Sequence, residues 1–540
     1  MIIWVLSGSE QYRSRLWFCR GGRRTSGGGN MRSEKRCGLF TRLRVGLSLL
    51  AGLRRHDVRA ARTFMETFFA EDRGLVRVLR MWRWALGQMF GTIPRSLTTV
   101  TFAETVARTP IWLVEGNRLA NHPWEAEPRT KLPERVDAVI IGAGMTGAGC
   151  AYHWARRTGE KTAVVLEMHD PAWGASGRNE GLVVMGRYFA MVRDTVRQHL
   201  NEVRSDLDGD SRGRLADQFA AAYTRSAYKN ADLIEDTVRE EGFECDYARM
   251  GWIQARSESA QSSLRESVEA GRANGFDDWT SLTPEEVLET GGMTVDTPAG
   301  FSRRAASFHP AKWVWCLLEK ALESSNVQLF TRTRVTSVDR EEDGYVVHTE
   351  RGPVRARAVI NAIESHTASL HERYGEFIFP RQTQAAFGDG GPDTMKPHVG
   401  LSGLQGWFGR HFGGVMVGSD ATRIEARRAN CINPSRFITS FLMGELHGLF
   451  GQSRIHITHE WSGTPGFTED EFPVVGVLDG YRQWVIGGMC GSGTAVSFNG
   501  ARHVVQRVLG LEGPDDYPEA YFSPVRLLDP RNHRWPDIEA

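Results

Sequence analysis

Val136-Asp137-Ala138-Val139-Ile140-Ile141 runs directly into Gly142-Ala143-Gly144-Met145-Thr146-Gly147, and no other stretch constrains the chain so tightly. A short, nearly continuous apolar run is what a parallel strand buried on both faces requires. The glycines that follow have separate tasks. Gly142 permits a tight turn, Gly144 lets backbone approach a pyrophosphate, and Gly147 lets a helix pack closely on the strand. Small apolar positions continue through Ala148, Ala151, Trp154 and Ala155 and read as a helix stopping near Gly159. Its N-terminus, at Met145 and Thr146, offers free amides and a partial positive charge to phosphates. Thr162 to Leu166 reads as a second strand closed by Glu167, 20 residues beyond Gly147, where a carboxylate can accept from ribose hydroxyls. An acid there argues against a 2′-phosphate, and so against NADP. NAD and FAD both stay open.

The rest of the composition narrows the class. Apolar residues make up 41% and charged residues 24%, a globular mix. A length of 540 residues suggests three or four domains at about 150 residues each. A net charge of +1 gives no reason to expect nucleic acid. The seven cysteines are dispersed without a C-x-x-C pair, which speaks against a disulfide framework or a zinc site, and no metal is expected. The longest apolar-leaning run near the start, Val45 to Leu53, is far short of a membrane span.

Charge is uneven along the chain. Residues 1–65 hold 13 Arg and one Lys against Glu10, Glu34 and Asp57, a net of +11, leaving −10 for the other 475. Three readings of this start stay open: a disordered or mis-called beginning with Met31 or Met65 as initiator, an Arg-rich transit-like leader, or a membrane-surface helix. Residues 73–90 interleave Arg73, Arg77, Arg80 and Arg83 with Leu79, Trp82 and Trp84, so a peripheral membrane contact is one reading and an ordinary packed helix the other. The expected location is cytoplasmic, or organellar if the start is a transit peptide.

FAD separates from NAD at His169-Asp170-Pro171-Ala172-Trp173-Gly174-Ala175-Ser176-Gly177-Arg178-Asn179-Glu180-Gly181. A loop so rich in Gly, Ala and Ser brings backbone close to a flat ligand, with Arg178 and Asn179 as polar contacts. The stretch resembles the G-A-S-G-R-N-x-G signature of the FAD-dependent amino-acid and amine oxidase family, the group of D-amino-acid oxidase, glycine oxidase and sarcosine oxidase, nearest the γ-glutamylputrescine oxidase-like branch. The likeness continues in the family's order through His309-Pro310-Ala311, the adenine-flanking Val327 to Leu329 and Thr333 to Val338, and a hairpin turning near Asp343-Gly344. It goes on through Ala358 to Ala362, Phe379 to Gln382, Asp470 to Gly476, and Gly487-Gly488-Met489-Cys490-Gly491-Ser492-Gly493 opening a last helix through Leu509.

The resemblance implies an α/β fold with α+β elements, a Rossmann-like FAD-binding domain interleaved with a mixed β-sheet substrate domain. The FAD domain is expected over 134–185, 300–370 and 465–512, and the substrate domain over 186–299 and 371–464. An extension over 1–64, a helical and extended lead-in over 65–133 and a tail over 513–540 complete the chain. It further implies cofactor contacts at Gly142, Gly144, Met145, Thr146, Gly147, Glu167, Ala175, Ser176, Arg178, Asn179, Gly181, Val335, Ala362, Gly488, Gly491, Ser492, Gly493 and Thr494. A helix dipole at the closing loop would stabilise charge on reduced flavin.

Two departures stand out. Ile363-Glu364 follows the strand where relatives have a glycine, putting the second dinucleotide contact in question, and Ser492 stands where relatives often carry His. Glu460-Trp461-Ser462-Gly463 has no cysteine where covalently linked relatives carry one, so noncovalent FAD is expected.

The implied reaction is hydride transfer from an amine or amino acid to flavin N5, giving an imine, with reoxidation by O2, a quinone or an electron-transfer protein. A carboxylate-bearing substrate needs an Arg grip. Arg187 with Tyr188, and Arg410 with His411 and Arg423, are the candidates. A quinone-linked dehydrogenase and a non-catalytic flavin-binding assembly protein remain as alternatives.

Overall fold

In the computed structural model, the described residues are 37–68, 74–116, 118–119, 131–375, 377–419, 422–424, 429, 433–478, 480–511 and 516–536. The Arg-rich residues 1–36 therefore lie outside the described residues.

Two sheets organise the chain. The nucleotide sheet runs in the order Val335–Glu341, Gly344–Thr349, Gly352–Asn361, Arg135–Ile141, Ala163–Leu166, Val327–Phe330. Its central strands are parallel and buried over their C-terminal halves, with Val139, Ile140, Val164, Val165 and Val359 inaccessible to solvent. The run of apolar residues in the sequence follows from that two-sided burial.

Gly352–Asn361 is the hinge of the arrangement. Its first half pairs with the hairpin strand Gly344–Thr349, and its last residues, Val359 to Asn361, pair in parallel with Gln483–Gly487. Along its length it also pairs with Arg135–Ile141. The sequence pattern suggests a hairpin return and a separate strand here; a single ten-residue strand serves both partners instead.

The second, larger sheet runs Val100–Ala107, Ile455–Gly463, Ile378–Gly390, Gly414–Ser419, Gly406–His411, Gly400–Ser402, Trp252–Gln254, Ala299–Ser302, Trp279–Leu282. Two boundaries drawn from sequence move. Ala299–Ser302 pairs with Trp252–Gln254 and Trp279–Leu282, so the domain edge placed at 300 falls inside this sheet. Val100–Ala107, in the lead-in, is the parallel edge partner of Ile455–Gly463. Helix Arg436–Phe450 interrupts a stretch that reads only as β-rich and packs its buried face, Leu442, Met443 and Leu446, with Val415 and Val417 of the sheet.

Residues 516–536 are bound to the body. Arg526 is buried and donates through Nε and Nη2 to both oxygens of Asp470, at 2.7 and 3.0 Å, and to the Phe472 carbonyl. The guanidinium holds the Asp470 carboxyl below its ordinary range against the opposing effect of burial. Removing one partner of such a pair leaves a buried charge. Arg526→Ala should lower the unfolding free energy by about 3–5 kcal/mol in urea titrations, and a change near zero would show that the pair is not holding the C-terminal segment.

Candidate functional site

Arg135–Ile141 and Gln483–Gly487 both run parallel to Gly352–Asn361, so their carboxyl ends lie at one edge of the sheet. The helices that follow them, Met145–Arg157 and Gly493–Leu509, begin at that edge and pack on each other through Gly149, Phe498 and Ala501. Open α/β sheets bind ligands there, outside the strand ends.

The glycines behave as their spacing predicts. Gly142 has φ +100°, and a Cβ on it would come 2.7 Å from the Ala362 carbonyl oxygen. A Cβ on Gly147 would collide with the Gly142 carbonyl, so only glycine lets the helix settle there. A Cβ on Gly144 would come 2.7 Å from the Ser176 hydroxyl, which accepts from the Met145 amide at 2.9 Å. The flavin-loop serine is thus already seated at the helix N-terminus. Glu167 accepts from the amides of Ala143 (2.7 Å) and His169 (2.8 Å), while burial pushes its carboxyl upward. Each oxygen of the carboxylate keeps capacity for a further donor. Free backbone approach at Gly144, a helix N-terminus and an acid beside the turn together fit a dinucleotide with unphosphorylated ribose.

Arg178 and Asn179 brace the loop. Arg178 donates to the Trp173 and Ser462 carbonyls (2.8 and 3.0 Å) and lies over the Trp173 ring. Asn179 donates to the Ser176 carbonyl and accepts from the Gly181 amide. Ala175 opens the short turn before them. Val335 opens an edge strand on the far side of the hairpin, but the turn before it returns to the site, where the Thr333 amide donates to the Glu167 carbonyl at 2.8 Å.

At the closing loop, Gly488 and Gly491 have φ +60° and +78°, and Cys490 shares that left-handed backbone at +53°. Ser492 precedes the helix that starts at Gly493, and the Thr494 hydroxyl accepts from the Val184 amide. Burial pushes the Cys490 thiol up to about 12, so it stays protonated, and it donates to the Gly488 carbonyl. Asn230, on the long helix Gly209–Glu241, accepts from the amides of Phe498 and Asn499 and donates to the Thr494 carbonyl.

Glu364 resolves the departure noted in the sequence. It takes φ +51°, the left-handed conformation a glycine would supply, so the turn is kept. Its carboxylate accepts from the amides of Gly466 (2.8 Å) and Met489 (3.2 Å) and ties three loops together. Burial lifts its carboxyl to about 7.

Of the candidate substrate residues, Arg187 reaches this region, and Arg423 borders it as the cross-strand partner of Arg381, over the Phe379 ring that packs with Phe467 and Cys490. Arg187 is 7% exposed, sits over the Phe472 ring and lies 3.3 Å from Glu471, which Arg381 also grips at 2.6 Å. Tyr188 faces the other way, donating to Gln254 under the Arg256 guanidinium. Arg410 donates to the Pro392 carbonyl, and Arg423 lies over Phe379. His309 caps helix Pro310–Leu322 by accepting the Lys312 amide, and burial holds it near 4, hence neutral. Sequence reasoning missed Tyr223, Arg381 and Glu471. Tyr223 comes from a helix far away in the chain and hydrogen-bonds Ser492. Glu471, with φ +67°, lies inside the Asp470-Glu471-Phe472-Pro473 motif, whose spacing alone does not disclose its role.

This is the site of a dinucleotide-dependent oxidoreductase built on two facing helix N-termini. The chain belongs to the FAD-dependent oxidoreductase family, whose model matches residues 137–507, and FAD is its cofactor. It is 39% identical over 75 residues to the first-lettered subunit of the anaerobic glycerol-3-phosphate dehydrogenase from Escherichia coli strain K12, a match covering 14% of each chain. It is 22% identical over 438 residues to the tRNA 5-methylaminomethyl-2-thiouridine biosynthesis bifunctional protein MnmC of Polaromonas naphthalenivorans, covering 76% of this chain and 61% of that protein. The chain thus spans less than two thirds of the length of these curated relatives. Among solved structures, glycine oxidase from Geobacillus kaustophilus matches with TM-score 0.57 and 20% identity over 72% of this chain and 98% of its own. L-Proline dehydrogenase from P. horikoshii matches with TM-score 0.59 and 18% identity over 73% and 98%. At these identities the likeness is one of fold.

Two outcomes test the site. Gly144→Val should purify without flavin absorbance, whereas full occupancy would refute the placement of the pyrophosphate. Glu364 has a folded pKa of about 7, raised from 4.5, so its contribution to stability is whole below 4.5 and is lost as pH rises through about 7. Across that interval Glu364→Gln should gain about 3 kcal/mol relative to the parent in urea unfolding; a difference that does not vary with pH would remove the assignment.

Proposed function

We propose that this flavoprotein oxidises the C–N bond of an amino acid or amine to an imine, which water then hydrolyses. Bound FAD supplies the hydride acceptor at N5 and passes the electrons on to O2 or another acceptor. The chain's own residues hold and orient. The Gly142–Gly147 turn and Glu167 would carry the pyrophosphate and ribose, and the N-terminus of Gly493–Leu509 would favour negative charge on the reduced ring.

The observation that carries this reading is the meeting of Arg187 and Arg381 at Glu471, beside the closing loop and among Phe467 and Phe472. A guanidinium fork in apolar surroundings is the donor set that grips a carboxylate. Arg187 would orient the substrate carboxylate, with Glu471 holding the guanidinium plane and Tyr223 and Ser492 lining the approach. Cys490, kept as a thiol by burial, makes no nucleophile for the flavin, which supports noncovalent binding. His309, neutral and committed as a cap, carries no proton in this scheme. Solved relatives of similar fold include a glycine oxidase and an iminodiacetate oxidase, both named for substrates with an amine beside a carboxylate.

Anaerobic mixing with a panel of amines and amino acids tests the proposal. At least one compound should bleach the flavin band near about 450 nm. Arg187→Ala should raise KM for a carboxylate-bearing substrate by about ten- to a hundredfold, with little change for an amine lacking that group. If no compound bleaches the band, the enzymatic reading fails; if the variant treats both substrate kinds alike, the carboxylate grip lies elsewhere.

A further inference from the structure

The helices before the large sheet are turned inside out. Gly74–Gly87 leads into the segment 88–96, which packs against helix Arg436–Phe450 and is also contacted by Leu39–Gly52. Trp84 packs edge-on against Phe441, and Ser96 hydrogen-bonds His447 at 2.7 Å. On the first helix, Gly46 lies against the Phe90 ring, and Arg42 donates to the Phe90 carbonyl at 2.7 Å. These anchors hold the first helix through Gly46 and Arg42 and the second through Trp84.

The apolar stripes face away. Leu39, Leu43, Leu47 and Leu50 recur at helical spacing, and all four are exposed, as is Phe40 at 81%. Leu75, Leu79, Trp82 and Leu86 repeat the pattern, with Leu75 at 74% and Trp82 at 64%. A helix normally turns such a stripe inward, and an exposed apolar stripe of this kind marks an interaction surface. Arg44 lies one turn from Phe40 and Leu47, Arg83 lies one turn from Leu79 and Leu86, and both are exposed. Residues 37–96 hold 11 Arg against Asp57, Glu66, Glu71 and Asp72, a net of +7. Among the described residues no helix is long and apolar enough to cross a membrane.

We propose that these two helices dock the protein on the face of a lipid bilayer containing anionic headgroups. Leu, Phe and Trp side chains enter the headgroup–acyl boundary while the arginines meet lipid phosphates, as interfacial helices do. The charge favours this occupant over a second copy of the chain, because a two-fold contact would set one positive surface against its own image. The docking stands apart from what is oxidised, and it would put the flavin domain within reach of a quinone dissolved in the membrane.

Co-sedimentation of the full-length holoprotein with vesicles is the test. Binding should be strong on mixed phosphatidylcholine–phosphatidylglycerol vesicles, weaker on phosphatidylcholine alone, and reduced by added salt. The exposed double variant L79D/W82D should bind the mixed vesicles at least about tenfold less, with flavin content unchanged because both side chains are largely exposed. Three results overturn the proposal: no sedimentation with either vesicle, unaltered binding by the double variant, or a solution dimer that the same substitutions split.

Discussion

The structure depends on how closely Gly147 approaches Gly142. The carbonyl of Gly142 occupies the space a side chain at 147 would need, so the helix after the first strand starts almost on top of the turn. That contact aims the helix N-terminus across the sheet edge. Gly142 is itself constrained from the other side by the Ala362 carbonyl, at the end of the neighbouring strand. Two parallel strands and one helix are therefore locked at a point where neither Gly142 nor Gly147 carries a side chain. The backbone is left open to a phosphate because nothing else can fit.

Around this bare point the chain uses buried ionisable groups to hold loops that no strand reaches. Asp470 and Arg526 fasten the last helical turn to the loop before the closing strand. Glu471, the next residue, turns to the opposite side and collects Arg187 and Arg381. Successive side chains of one loop thus serve two purposes, one fixing the C-terminal segment and one shaping the cleft. Glu471 takes the left-handed backbone, with φ +67°, at the point where the two side chains part.

How much of this was legible in the sequence follows from how local each feature is. The 136–167 unit could be read because strand, turn, helix, strand and acid lie within about thirty residues and each has a fixed spacing. The long strand Gly352–Asn361 was cut in two because a strand changing partners midway leaves no mark in a pattern of period two. Val100–Ala107 escaped for a related reason: as an edge strand it is largely half-exposed, and its register partner for Val100 is the distant Ile455. Arg187 stands out in the sequence by its place after the flavin loop, but its neighbours Arg381 and Tyr223 do not, since only tertiary structure brings residues from a sheet strand and a long helix to the closing loop. The arginines of 73–90 were visible from the start. That the helix turns its leucines outward was not, because an amphipathic pattern does not say which face meets the body.

Glu364 shows how a departure from a family pattern can leave the fold intact. A non-glycine residue in left-handed backbone costs about 1–2 kcal/mol. Here the side chain accepts hydrogen bonds from the Gly466 and Met489 amides, and contacts to a charged acceptor are worth about 1.5–3 kcal/mol each. While the carboxylate is ionised these bonds outweigh the strain, and desolvation opposes them by disfavouring ionisation. A glycine would carry neither the strain nor the dependence on protons. The glutamate therefore couples the junction of three loops, one of them the closing loop beside the proposed cofactor edge, to the protonation of a single buried group.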